Sequence, residues 1–258
     1  MRHSSPDDMR RFWDQQGGQV GCASATDPND LLGRKNAYIG ACRDLAIEPW
    51  LDIDSSVLDF GCGTGTFLSR LIRRHDLDVA VGVDISATML ALATERDVLL
   101  ESRLVRIDGH RLPFRDASFD VVTTAAVLQY LVDDVDLCAV LAEFRRVLKP
   151  RGRVVAIEQV RRVDYYDTAN RKRQRAPSSM KQCFRSAGFE LVAQPQIRRG
   201  HFPLVYAIRY GLVPARCLPT VARWERRLWA NAPLPMRDYA DVAFVFAKGP
   251  EHRAEFQH

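Results

Sequence analysis

A short apolar run that breaks directly into glycines constrains this chain more than any other feature. Ser56 to Phe60 reads as a buried strand, and Gly61-Cys62-Gly63-Thr64-Gly65 follows as a loop. Phe67, Leu68, Leu71 and Ile72 then recur at helical spacing. Strand, glycine loop and helix in that order open a βαβ unit. The glycines adopt backbone angles that other residues resist, and they let a ligand approach the main chain. The spacing is GxGxG rather than the GxGxxG of dinucleotide binders, and no Lys-Ser/Thr pair completes a P-loop.

The alternation continues downstream. Val79 to Val83, Arg103 to Ile107, Phe119 to Thr124, Arg153 to Gln159, Phe189 to Gln196 and Ala240 to Lys248 read as further strands. Ser86 is a plausible cap for a helix carrying Met89, Leu90, Leu92 and Ala93. Leu137, Val140, Leu141, Phe144, Val147 and Leu148 form a strong amphipathic stripe ended by Pro150 and Gly152. Another helix is expected from about Ser178 to Ala187, with Gly188 just past its end. Such alternation predicts an α/β, doubly wound sheet of seven strands with right-handed crossovers. Residues 1–35 read as an irregular or partly helical lead, and Asn36 to Trp50 as a helix ended at Pro49. The expected division is an N-terminal lid or helical segment over 1–50 and the main domain over 51–258. The proline- and tryptophan-bearing stretch 197–239 is too apolar for a disordered linker and reads as a partly helical, substrate-side insertion.

Ligands of open α/β sheets sit at the carboxyl ends of the strands. Three successive strands there end on or beside an acid: Asp59, Asp84 and Asp108. Asp84 lies 23 residues after Gly61, where a carboxylate can accept both hydroxyls of a ribose. Asp108, followed by Gly109 and His110, can accept from an exocyclic amine. The constellation suits a ligand with a ribose, an amine-bearing base and an ammonium group.

With these motifs in order, the stretch 57–158 resembles the class I S-adenosylmethionine-dependent methyltransferases, especially their small-molecule branch. Val57 to Gly65 matches the first motif and Val81-Gly82-Val83-Asp84-Ile85-Ser86 the second-strand motif. Asp108 to Phe114 with Ser118-Phe119-Asp120 matches the third, and Leu148-Lys149-Pro150-Arg151-Gly152-Arg153 the turn before the fifth strand. The resemblance implies a Rossmann-like methyltransferase fold, its last strand antiparallel, with S-adenosyl-L-methionine as cofactor. Asp59, Gly61, Cys62, Gly63 and Gly65 would line its methionine end. Asp84 would hold the ribose, with Ile85 and Met89 flanking the adenine. Asp108, Gly109 and His110 would meet the adenine edge, and Ala125 to Leu128 would lie under the sulfonium. The lead around Phe12-Trp13-Asp14 and Arg34 to Tyr38 resembles the lid of some members linked to polysaccharide or natural-product pathways, and an aromatic there would cover the sulfonium by cation–π attraction.

Composition narrows the rest. The net charge is +5, and residues 161–175 carry +4 of it, from six cations against Asp164 and Asp167. Six cysteines form no CxxC pair and no zinc-like spacing, so free thiols in a reducing cytoplasm and no metal site are expected. Residues 1–11 lack a signal-like apolar stretch, and the longest weakly polar run, 121–132, is too short to span a bilayer.

The expected reaction is methyl transfer to a small-molecule acceptor, as an O-methyltransferase acting on a hydroxyl of a sugar or secondary metabolite. His110, Tyr130 and His201 are candidate bases. Thr124-Ala125-Ala126-Val127 stands where amine-methylating DNA enzymes carry Asn/Asp-Pro-Pro-Tyr, which argues against that chemistry. An RNA methyltransferase using the basic loop 161–175 and a non-catalytic cofactor-binding protein are the alternatives. A nicotinamide oxidoreductase is disfavoured by the glycine spacing.

Overall fold

The structure is a computed structural model that describes residues 6–20, 27, 29–30, 32–169, 171–234 and 238–249. Its centre is a mixed sheet in which β1 (Ser56–Phe60), β2 (Val79–Asp84), β3 (Leu104–Arg106), β4 (Phe119–Ala125) and β5 (Leu148–Val160) run parallel. The spatial order is β3-β2-β1-β4-β5, so strand order reverses between β1 and β4. β10 (Ala240–Lys248) lies antiparallel against β5 over eight consecutive pairs, from Ala240↔Val160 to Ala247↔Arg153. The expected fold class, a doubly wound sheet with the last strand antiparallel, is the observed one.

The sheet has seven positions but eight strands. The run expected as one strand over 189–196 is two, β8 (Phe189–Ala193) and β9 (Gln196–Arg199), both paired to β10. Pro195 falls between them and has no N–H for a ladder. Two further short strands, β6 (Tyr165–Asp167) and β7 (Lys172–Gln174), pair as a hairpin inside the stretch expected to be a basic loop.

Alternation along the buried strands divides the core. Val154, Ala156, Val242, Phe244 and Phe246 face one layer, which holds α5 (Asp134–Val147) and α6 (Pro177–Ser186). Val155, Ile157, Ala243 and Val245 face the other, with α2 (Arg34–Ile47), α3 (Thr66–Arg74), α7 (Pro203–Arg209) and α8 (Leu218–Trp229). A period of two on a strand buried on both faces produces this sorting. Proline opens α6, α7 and α8, where its missing N–H costs nothing. The lead is more regular than expected: α1 (Pro6–Val20) is a full helix packed on α4 (Ala87–Arg96). Helix α2 stops at Ile47, and a 3-10 turn carries Pro49. Cys22 lies outside the described residues, and the other five cysteines are free. Among the described residues no helix is long and apolar enough to cross a membrane.

Candidate functional site

A cavity of about 390 Å³ opens at the carboxyl ends of β1, β2 and β4, where the strand order reverses. The glycine loop forms its floor. Gly61 sits at φ 72°, and a Cβ there would lie 2.5 Å from Val127 Cγ2, so both the backbone angle and the space require glycine. Gly61 and Cys62 donate their N–H groups to the Val83 carbonyl, which ties the loop to β2.

Asp84 is held at the junction of these elements. Its Oδ2 accepts from Gly63 N at 2.8 Å and its Oδ1 from Ser86 N at 2.9 Å. Burial pushes its carboxyl above the usual range, opposed by the N–H donors of Ser86, Gly63 and Ile85. Ser86 caps α4 by accepting from Met89 N, and this turn brings Ile85 and Met89 into the cavity wall. Gly63, Gly109, His110 and Ala125 also line it.

Two expected residues stand elsewhere. Gly65 caps α3 at φ 65°, where a Cβ would strike Leu100, and it lines neither the cavity nor its annex. Asp108 is exposed, in a bend beyond the end of β3, while Ile107 is buried and lines the cavity.

A smaller annex of about 40 Å³ adjoins the loop and is lined by Asp59, Cys62, Thr64, Thr66, Phe67 and Arg43, among others. Burial pushes the Asp59 carboxyl up to about 7, against the pull of Arg43. Asp59 Oδ2 and Arg43 Nε are buried without a hydrogen-bond partner among the described residues. A carboxylate and a guanidinium, each with open capacity, match the ammonium and carboxylate of an amino-acid group. Arg43 was not anticipated. Its only sequence signal is a cation interrupting the apolar run Tyr38-Ile39…Cys42…Ala46-Ile47 on α2.

Opposite the glycine loop, the turn after β4 is held under tension. Ala126 takes φ 62°, a left-handed conformation unusual for alanine. Glu158, at the carboxyl end of β5, anchors it: Oε1 accepts from Val127 N at 3.1 Å and Leu128 N at 2.9 Å. Burial pushes this carboxyl up to about 7.

The candidate bases differ in placement. His110 lines the cavity with Nε2 3.5 Å from Asp136 Oδ1. Tyr130 also lines it, but burial, Glu158 and Asp167 push its phenol up to about 12. His201 follows β9, is exposed, pairs with Asp238 at 2.6 Å and is absent from the cavity wall.

Two outer elements close the cavity. Pro6, Met9 and Trp13 of α1 reach in, and the Trp13 ring meets Tyr130 edge-on at 4.9 Å. Asp14 latches this helix by accepting from Ser86 Oγ at 2.6 Å and Thr88 N at 3.2 Å. Arg34 to Tyr38, the other half of the expected lid, belongs to α2, and Tyr38 is buried in the core. The β6–β7 hairpin contributes Tyr166 and Arg173. Two cations of the basic stretch are engaged internally, while Arg162 and Arg171 are exposed. Arg173 pairs with Asp164 and Asp134, and fully buried Arg175 binds Asp134 and the carbonyls of Leu128, Leu131 and Val132.

Comparisons with known proteins agree with this architecture. Residues 58–156 match a family model described as a methyltransferase domain. The chain is 39% identical over 114 residues to a malonyl-[acyl-carrier protein] O-methyltransferase of Marinomonas sp., covering 44% of this chain and 41% of that protein. It is 37% identical over 118 residues to a demethylmenaquinone methyltransferase of Thermotoga maritima, covering 45% and 49%. The chain thus spans less than half the length of these curated relatives. Among solved structures, geranyl diphosphate C-methyltransferase of Streptomyces coelicolor, bound to S-adenosyl-L-homocysteine, aligns with TM-score 0.62 at 16% identity over 94% of this chain and 98% of that one. Phosphoethanolamine N-methyltransferase 2 of Haemonchus contortus, bound to S-adenosyl-L-methionine, aligns with TM-score 0.65 at 17% identity over 93% and 60%. At these identities the structural likeness speaks for the fold, and the sequence match concerns residues 58–156, which are similar to a methyltransferase domain.

Proposed function

We propose that the protein transfers a methyl group from S-adenosyl-L-methionine to a hydroxyl of a small acceptor. The observation that carries the reading is Asp84, a buried carboxylate fixed by the glycine loop and the α4 cap at the wall of the 390 Å³ cavity. Asp84 would accept the ribose hydroxyls, Ile85 and Met89 would flank the base, and Asp59 with Arg43 would hold the ammonium and carboxylate. When bound, the cofactor supplies a methyl carbon already activated by a positive sulfur. The protein's part is then alignment and exclusion of water. Trp13 and Tyr130 close the cavity on the lid side, while the Glu158-anchored turn holds Ala125 to Leu128 beneath the reacting centre. His110, steadied by Asp136, is the group placed to take the acceptor's proton. Tyr130 is too weak an acid to supply a phenolate near neutral pH.

The acceptor side carries Trp13, Tyr130, Val132 and Tyr166 together with Asp133, Asp134 and Arg173. The Arg173 guanidinium is already engaged by two carboxylates, which favours a small uncharged acceptor over an RNA strand. The N-terminal helix would serve as lid; the described residues of the 197–239 insertion, expected on the substrate side, line no part of the cavity and pack instead against α2.

Calorimetric titration with S-adenosyl-L-methionine tests the cofactor claim. Replacing a charged hydrogen-bonding partner costs about 1.5–3 kcal/mol, so Asp84→Ala should weaken binding by about 10- to 100-fold. Equal affinity in both proteins would overturn the reading. Cofactor binding with no methyl transfer across an alcohol, amine and carbon-acid panel would leave a binding protein.

A further inference from the structure

The insertion after β9 carries charge that the cofactor site does not use. Residues 197–239 hold eight arginines against two acids, Glu225 and Asp238, a net +6 in a chain of net +5. Both acids are occupied internally: Glu225 is buried and accepts from Arg199 N, and Asp238 pairs with His201. The outward charge of the insertion is therefore wholly positive among its described residues.

Large apolar side chains stand beside that charge. Tyr210 and Leu212, in the turn that ends α7, are 71% and 77% exposed, and Tyr206 lies one helical turn back at 46%. Leu32, 62% exposed, belongs to the same tip, because its Cδ1 lies 3.7 Å from the Cβ position of Gly211. Arg34 and Arg209 fasten this tip by donating to the carbonyls of Val213 and Asn29, at 3.1 and 2.9 Å. Neither cation, nor exposed Arg216 beyond them, has a carboxylate within 4 Å among the described residues. Aromatic and leucine side chains beside arginines that no carboxylate contacts, although Arg209 feels the charge of Asp27, match the interfacial layer of a bilayer, where rings sit at headgroup depth and cations meet lipid phosphates.

The tip also points the right way. Helix α2 feeds β1 from the far edge of the sheet, so it runs opposite to the strands, and its Arg43 lies at the carboxyl end of β1. Arg34, nine residues earlier, stands roughly 14 Å beyond that edge at 1.5 Å per residue. The tip thus projects from the same end of the sheet as the cavity.

We propose that this tip docks the protein on an anionic phospholipid surface. Tyr210, Leu212 and Leu32 enter the interfacial layer, and Arg209, Arg216 and Arg34 contact lipid phosphates. Docking brings the cavity end to the membrane, where an acceptor carried by lipid is reachable.

Co-sedimentation of the full chain with vesicles tests this without cofactor or acceptor, so its outcome is independent of the methyl-transfer reading. Binding is expected to phosphatidylglycerol–phosphatidylcholine vesicles, to fall with rising salt, and to be weak on phosphatidylcholine alone. Arg216→Glu reverses one charge and should weaken binding about thirtyfold. The double substitution Tyr210→Ser, Leu212→Ser should weaken it about tenfold or more while S-adenosyl-L-methionine affinity is unchanged. Absence of binding to phosphatidylglycerol vesicles, or binding insensitive to salt and to these substitutions, overturns the proposal. Self-association that the same substitutions abolish, seen by sedimentation velocity, overturns it in favour of an interface between copies of the chain.

Discussion

Glu158 offers a measurable consequence of burying a carboxylate behind the reacting centre. Its Oε1 accepts the two N–H groups that fix the turn after Ala126, while Oε2 is buried with no partner among the described residues. Burial raises its proton affinity from an ordinary value of 4.5 to about 7. Between those values the folded state binds a proton that the unfolded state has lost, so stability falls as pH rises from 4.5 through 7. At 1.36 kcal/mol per tenfold change, the full loss above pH 7 is about 3 kcal/mol. Glu158→Gln keeps an oxygen for Val127 and Leu128 but cannot ionise. Urea unfolding of both proteins at about pH 4 and about pH 8.5 should therefore show the variant gaining about 3 kcal/mol relative to wild type across the interval. Asp59 and Glu225, also raised to about 7, titrate in both proteins and cancel in the difference. A stability difference that is the same at both pH values would refute the reasoning.

Three further expectations follow from the site. Gly61→Ala combines an unfavourable left-handed φ with overlap on Val127 and should cost about 2–4 kcal/mol in denaturant unfolding, with loss of cofactor binding. Arg43→Met should weaken S-adenosyl-L-methionine binding by calorimetry at least about tenfold while leaving adenosine binding unchanged. Asp14→Asn removes a negative charge from the start of α4, worth about 1 kcal/mol, and should speed amide hydrogen exchange in residues 6–20 about fivefold.

The parts of this molecule legible in the sequence are those where local chemistry and tertiary role coincide. The run from Ser56 to Gly65 announces itself because a strand buried on both faces must be apolar, and a loop crowded by Val127 must be glycine. Asp84 was readable from its place at a strand end. Arg43 and Glu158 were not, since an arginine on a helix and a glutamate on a strand acquire meaning only when α2 and β5 pack around Asp59 and the Ala126 turn. The basic stretch is only partly legible for a related reason: charge counts cannot show that Arg175 is buried among three carbonyls. Strands of three residues, as in β6 and β7, are too short to display a period. Asp108 matched its motif, yet it lies exposed in a bend just past β3, which a motif match does not reveal.

The long ladder between β5 and β10 has a consequence for how the chain is made. Among the described residues, β8 and β9 find their strand partner only in β10, which follows them in sequence by some forty residues. During synthesis, β5 presents a long unpaired apolar edge until Ala240 to Lys248 emerges and inserts between β5 and the β8–β9 pair. The insertion is thus synthesised, and free to fold, before the sheet can close. The vulnerable interval falls before β10 is made, when a chaperone shielding the β5 edge would do most to keep nascent chains from pairing with one another.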